Sequence, residues 1–422
     1  MTTGLRFFYR RIHVTGFENI PEKGPVIIIA NHNSSLMDAA LLGILLKRKA
    51  WFFARGDVFI KKFVSKILWQ FHMMPVHSYS GGRHTLSANS DSFADGKKIL
   101  SKGGIIVFFP ESTSHTQHQL YNFRKGVFRL AFETASEADF SYDIPIVPIG
   151  ITYDHPINCR AAVQVHAGKP LLLSTYIHSY KLNPAAALLQ ISKDAYQSVL
   201  QLTLHIPDTD RLQTVNHFLT LNRSSQTQQY SSWKIASMQK LIQEKTVCNY
   251  INNAGNDELE TWQLKTTTYF KLLAENDVTD KAVHKEPSFS FLKKMGLWLG
   301  FPFYIIGLLL NGLPIGFARL IANKKVYRQD FYSWIFVAVY SMMYLCWMLL
   351  LISITFFVWG WQYAFMLLAI MISTGLFAYL YKDWMKENSI YNKWKMLSSK
   401  NREALISMRK NLTQVLTEKE AV

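Results

Sequence analysis

The sequence of 422 residues predicts an α/β domain with a sheet flanked by helices, followed by a helical extension and a C-terminal transmembrane helical hairpin. Three observations predict it. Apolar runs at 26–30, 104–109 and 144–151 each end in polar residues, as buried strands do when they deliver side chains to one edge of a sheet. Helical periodicity runs through Ala185 to Leu204, Arg211 to Leu221 and Ser232 to Lys245, interrupted by Pro207 and the polar segment from Arg223 to Gln229. From Phe331 to Trp359 and from Gln362 to Tyr381 there is no charged residue, and each stretch reaches the about 20 residues that cross a hydrocarbon core.

Taken in order, Leu5-Arg6-Phe7-Phe8-Tyr9-Arg10-Arg11 mixes bulky apolar and basic residues, which predicts a short interfacial helix. Pro25 introduces the strand Val26-Ile27-Ile28-Ile29-Ala30, and Leu36, Ala39, Leu42, Ile44 and Leu45 mark an amphipathic helix that Ser34 or Ser35 would cap. His32 then lies beyond a strand's carboxyl end, where open α/β sheets bind ligands. Asp38 falls in the first helical turn, a favourable place for a carboxylate. A carboxylate that fixes one imidazole tautomer makes the other ring nitrogen a general base near neutral pH. Taken alone, the segment reads equally well as a loop histidine beside a helix-capping aspartate.

The second run ends in Pro110-Glu111-Ser112-Thr113-Ser114-His115, and Tyr121-Asn122-Phe123-Arg124-Lys125-Gly126 leads into another helix. The third, Ile144 to Ile151, contains Pro148. In order and spacing, NHxSxxxD, FPESTSH, NFRKG and IVPIGI resemble the blocks of the membrane-bound glycerolipid acyltransferases that include lysophosphatidic acid acyltransferase. The resemblance covers residues 11–172 and implies a mixed sheet flanked by helices.

It also implies roles. His32 resembles the base that takes the acceptor hydroxyl's proton as the oxygen attacks an acyl thioester, and Asp38 resembles its orienting partner. Pro110 and Glu111 match an acceptor-binding element, in which Ser112 replaces the usual glycine, while Lys125 and Gly126 match a basic-then-Gly element facing the head group or the donor's phosphates. Pro148 matches a proline that shapes the acyl side. Direct transfer needs no metal or redox cofactor, and acyl-CoA or acyl carrier protein enters as co-substrate.

Three departures bear on the acceptor. Asn33 to Met37 put one residue more between His32 and Asp38 than the commonest family spacing, and a helix turns about 100° per residue, so the loop must absorb it. The longer spacing resembles a branch with yeast-type glycerol-3-phosphate acyltransferases. Ser114 and Ser78 stand where the family carries phosphate-binding arginines, the preferred planar partners of phosphate. Arg83, Arg124, Lys125 or Arg160 would then compensate, or the acceptor is a different lyso-lipid. Glycerol-3-phosphate and a non-catalytic membrane scaffold are the remaining alternatives. Cys159 as a nucleophile and His115 with His118 as metal ligands are weaker readings, because nothing nearby completes either site.

The net charge of +17 calls for an acidic partner. No nucleic-acid-binding signature occurs, and 49% hydrophobic residues favour an anionic membrane instead. Three scattered cysteines and no secretory signal point to a reducing compartment. Lys324, Lys325, Arg328, Lys382 and Lys386 flank the hairpin, whose Trp359-Gly360-Trp361 tip is uncharged, so both outer ends belong in the cytoplasm with the catalytic domain. Residues 295–322 are apolar but contain Pro302, Asn311, Pro314 and Arg319, which predicts a re-entrant or interfacial helical hairpin, with a third membrane span as the alternative. The expected organisation is a catalytic domain at 1–172, an extension at 173–290, a membrane domain at 291–382 and a basic cytoplasmic tail at 383–422.

Overall fold

The computed structural model describes residues 8–59, 62–76, 83–226 and 233–417. Leu5 to Phe7 of the expected interfacial helix, and Ser78, lie outside them. The chain divides into two compact units, one of residues 1–207, 230–243 and 328–334, the other of 208–229, 244–327 and 335–422.

Unit 1 is built on eight strands: β1 (Arg11–Thr15), β2 (Val26–Ala30), β3 (Ala50–Arg55), β4 (Met73–Val76), β5 (Ile105–Phe108), β6 (Ile146–Tyr153), β7 (Ala162–Ala167) and β8 (Lys234–Ile235). Their order across the sheet is β4-β3-β5-β2-β6-β7-β1-β8. Every pairing is parallel except β6 with β7, so the sheet is mixed. All five residues of β2 are buried, which explains its unbroken apolar run between two parallel neighbours. The helices are α1 (Leu36–Leu45), α2 (Lys62–Gln70), α3 (Arg83–Ser101), α4 (Gly126–Glu137), α5 (Ile177–Leu182) and α6 (Pro184–Leu202). Phe128 and Phe132 of α4 and Ile191, Ala195 and Val199 of α6 share one core with Ile27, Ile29 and Ile106 of the sheet.

The segment Ser232 to Lys245 is not the single helix its periodicity suggests. Ile235 pairs with His13 as β8, and the helix α8 begins only at Gln239 and ends at Asn252. Trp233 O accepts the Ile12 N–H, so pairing with an open sheet edge outweighs local helical preference there.

The remaining helices are α7 (Leu212–Ser225), α9 (Asn256–Glu275), α10 (Asp280–His284), α11 (Phe291–Lys325), α12 (Gln329–Trp359), α13 (Trp361–Met396) and α14 (Ser399–Thr417). Three of them, α11, α12 and α13, are long and apolar enough to cross a membrane. Gly360, at φ +98°, forms the turn between α12 and α13.

The helical hairpin expected within 295–322 does not form, because α11 runs unbroken for 35 residues through both prolines. Pro314 has no N–H for the carbonyl of Leu310, and the Trp347 indole of α12 donates to that oxygen at 2.9 Å instead. Asn311 donates to Gly307 O and accepts from Tyr344 OH, so its side chain is also satisfied inside the helices. Gly307 permits close packing, since a Cβ there would meet the Thr374 carbonyl of α13 at 2.4 Å.

The basic tail is likewise not a free surface helix. Its first residues continue α13 to Met396, and in α14 the buried Arg409 donates to Asp280 at 2.9 and 3.2 Å and to the Leu221 carbonyl.

Candidate active site

The site starts where β2 stops. Asn31 accepts the Ile151 N–H at 2.7 Å and donates to the Ile151 carbonyl at 2.8 Å, so a side chain replaces the next ladder rung and ties the end of β2 to β6. Asn33 donates to Gln117 O, fixing the other side of the turn. Between them His32 is held at the carboxyl edge, its ring stacked on Phe109 with centroids 4.1 Å apart and planes at 15°.

His32 Nδ1 lies 2.9 Å from Asp38 Oδ2. The carboxylate is fully buried, whereas the imidazole keeps 19% of its surface exposed. Ser34 N–H donates to the same oxygen at 2.8 Å, and the Tyr153 hydroxyl donates to Oδ1. The cap therefore runs opposite to the expected sense. Neither serine caps α1; the carboxylate of Asp38 reaches back to the amide of Ser34. Ser35 takes a φ of +44° in the loop, and Asp38 points at His32 despite the longer spacing.

Burial, followed by the charge of Asp38, pushes the Tyr153 hydroxyl well above its usual range, as it does that of Tyr9, whose ring lies 5.9 Å away. Tyr153 thus remains a donor to Asp38. With Nδ1 facing a carboxylate that can only accept, the proton sits on Nδ1 and Nε2 keeps its lone pair.

Glu111 braces the opposite side. Its Oε1 accepts the His32 N–H at 2.8 Å, and its Oε2 accepts the Tyr121 N–H at 3.0 Å and faces His115 Nε2 at 2.9 Å. His115 N–H in turn donates to the His32 carbonyl at 3.1 Å. The Glu111 side chain is fully buried with both oxygens engaged, so it acts by fixing the His32 loop. Pro110 is buried beside it, and its carbonyl accepts the Arg124 N–H at 2.8 Å.

The same loop is held from far along the chain. Ser114 Oγ donates to Asp330, and Arg328 donates to the Ser114 carbonyl at 2.9 Å and to Asp330 at 2.9 Å. Ser333 donates to the Pro156 carbonyl at 2.6 Å. The first turns of α12 therefore belong to this unit.

The structure brings His32, Asp38, Glu111 and Pro110 together. Ser112 is exposed on the same loop at φ +65°, where the resemblance carries glycine. Arg124 and Lys125 are exposed immediately before α4, with Lys125 at its N-cap and Gly126 its first residue. Pro148 lies inside the sheet, opposite Ile29 of β2. Arg83 begins α3, but its side chain is outside the described residues. Cys159 is exposed in the loop after β6. His115 joins the site through Glu111 rather than through a metal set with His118; among the described residues no cluster of metal-ligating side chains occurs. Sequence reasoning missed Tyr153, Phe109 and Asp330. The aromatic that closes the second apolar run was the available signal for Phe109, and β6 continuing past Ile151 was that for Tyr153.

A family model described as acyltransferase matches residues 11–152. An uncharacterized acyltransferase of Schizosaccharomyces pombe is 30% identical over 121 residues, covering 28% of this chain and 18% of that protein. The chloroplastic 1-acyl-sn-glycerol-3-phosphate acyltransferase LPAT1 of Arabidopsis thaliana is 29% identical over 175 residues, covering 41% of this chain and 45% of that one. Glycerol-3-phosphate O-acyltransferase 2 of Saccharomyces cerevisiae is 27% identical over 128 residues, covering 30% and 17%. The matches span less than half the length of each of these relatives.

Proposed function

We propose, from the match of residues 11–152 to the acyltransferase family model, that the protein transfers a fatty acyl group to the hydroxyl of a glycerolipid, with 1-acylglycerol-3-phosphate as the first expected acceptor. The donor is acyl-CoA or acyl carrier protein. The observation that carries the reading is the His32–Asp38 pair, with Nδ1 on the buried carboxylate and Nε2 left to act.

In the proposed step the acceptor oxygen attacks the thioester carbonyl while His32 Nε2 takes its proton. A carbon–oxygen bond forms, the carbon–sulfur bond breaks, and the imidazolium returns the proton to the departing thiolate. Asp38 stabilises the imidazolium, and the electron and proton balance closes without a metal or redox group. Membrane attachment suits this chemistry, because acceptor and product partition into lipid whereas the donor's carrier is water-soluble. The catalytic domain is proposed to face the cytoplasm; Cys159, exposed in unit 1, should then react with an impermeant maleimide only from that side.

Membranes containing the full chain, given labelled acyl-CoA and a panel of acceptors, test the reading. His32→Ala should abolish transfer and Asp38→Ala should reduce it about 100-fold or more. Near wild-type rates in both well-expressed variants would reject it. A second acceptor, glycerol-3-phosphate, is favoured by the added residue before Asp38 and by the similarity to the yeast enzyme so named. The serines at 78 and 114 favour another lyso-lipid, and the panel ranks all three. Transfer to none of them would leave the scaffold reading.

A further inference from the structure

Helix α2 turns an apolar stripe away from the core. Its inward side is accounted for by Trp69, whose ring packs edge-on against Trp51 of β3 at 5.5 Å. Phe63, Ile67 and Phe71 follow one another at four-residue spacing, and the helical bond from Phe71 N–H to Ile67 O carries the stripe one residue past the helix end. Phe63 is 75% exposed and Phe71 58%, Ile67 between them is half-buried, and Val58, in the turn just before α2, is 46% exposed. Lys62 and Lys66 are exposed on the same helix. A helix that merely covered a sheet would bury such a stripe.

Its place in the sheet matters as much as its composition. β3 runs parallel to β5, with Phe52 opposite Val107. The chain therefore enters α2 from the carboxyl edge, the same edge from which β2 delivers His32 and β5 delivers Glu111.

We infer that α2 is an interfacial helix that seats this unit on an anionic lipid surface. Phe63, Ile67 and Phe71 enter the acyl-chain region, and Lys62 and Lys66 meet lipid phosphates. Charge complementarity selects lipid as the occupant: the stripe carries its own flanking lysines, in a chain of net charge +17. The seat stands apart from the chemistry at His32, and its test reads no activity.

The full chain with Cys159→Ser and Cys346→Ser is reconstituted in nanodiscs of phosphatidylcholine and phosphatidylglycerol. Spin labels are attached through Phe63→Cys, Ile67→Cys, Phe71→Cys or, as the polar reference, Gln70→Cys. Labels at 63, 67 and 71 should show an oxygen-to-nickel-chelate accessibility ratio several-fold above that at 70. Phe63→Asp with Phe71→Asp should remove the excess at 67. Equal ratios at all four positions would overturn the inference, as would shielding from both reagents, which would mean that a protein surface or a second copy covers the stripe.

Discussion

Asp38 accepts from three sides, from His32, Ser34 and Tyr153, and each partner can be tested singly. Tyr153→Phe leaves Oδ1 buried without its donor. It should lower stability by about 1–3 kcal/mol and slow transfer about tenfold, read from thermal melting and from kcat in one preparation. Ser112 offers the opposite sign. An L residue at its φ of +65° is strained, so Ser112→Gly should raise stability by about 0.5–1 kcal/mol, measured as a higher melting temperature. His32, Asp38 and Glu111 were legible because they stand within short polar segments after apolar runs. Tyr153 was not, because 115 residues separate it from Asp38 and only strand pairing joins them. Nor was the use of Glu111 legible, since a motif states which side chain is present and not which backbone amides it will hold.

At the level of elements, the loop after β5 is held by the first turn of α12, 216 residues away. Asp330→Ala and Ser114→Ala should each slow transfer, and the double variant should be no slower than the worse single one, because both remove the same contact. Additive losses in that double-mutant cycle would count against the clamp. In α11 the cost of Pro314 is met by Trp347. Trp347→Phe should destabilise the helical unit by about 1 kcal/mol, and Pro314→Ala, which restores a backbone donor for Leu310, should remove most of that loss in a bilayer unfolding assay. The sequence made Pro314 visible but not its compensation by Trp347, so a helical hairpin was expected where one continuous helix stands. The strand runs were legible because burial between parallel neighbours leaves an unbroken apolar signature. β8 was not, because two residues at a sheet edge carry no periodicity.

Across the whole molecule, acid acts through histidines remote from the site. Burial lowers His13 and His166, on the neighbouring strands β1 and β7, from the ordinary 6.5 to about 4. The unfolded chain therefore binds protons that the folded one refuses, and stability that is complete above about pH 6.5 is lost as pH falls through about 4. Each histidine accounts for about 3 kcal/mol at most. Melting temperature should fall across that window, and His166→Gln should flatten the fall. The uncharged helical stretches and the basic charge made a lipid environment legible in the sequence, yet the division of the chain into two units was hidden, since each unit is assembled from discontinuous stretches.

β8 gives that discontinuity a practical edge. A gene fragment stopped at Pro207 would encode all of the residues matched by the family and still produce a sheet with one border strand missing, exposing the N–H and C=O groups of β1 as a template for aggregation. A fragment extended to Gln243 would restore that border but not Arg328, Asp330 and Ser333. Soluble expression of unit 1 is thus a problem of splicing, in which 230–243 and 328–334 must be grafted back through designed linkers rather than kept by choosing an end point.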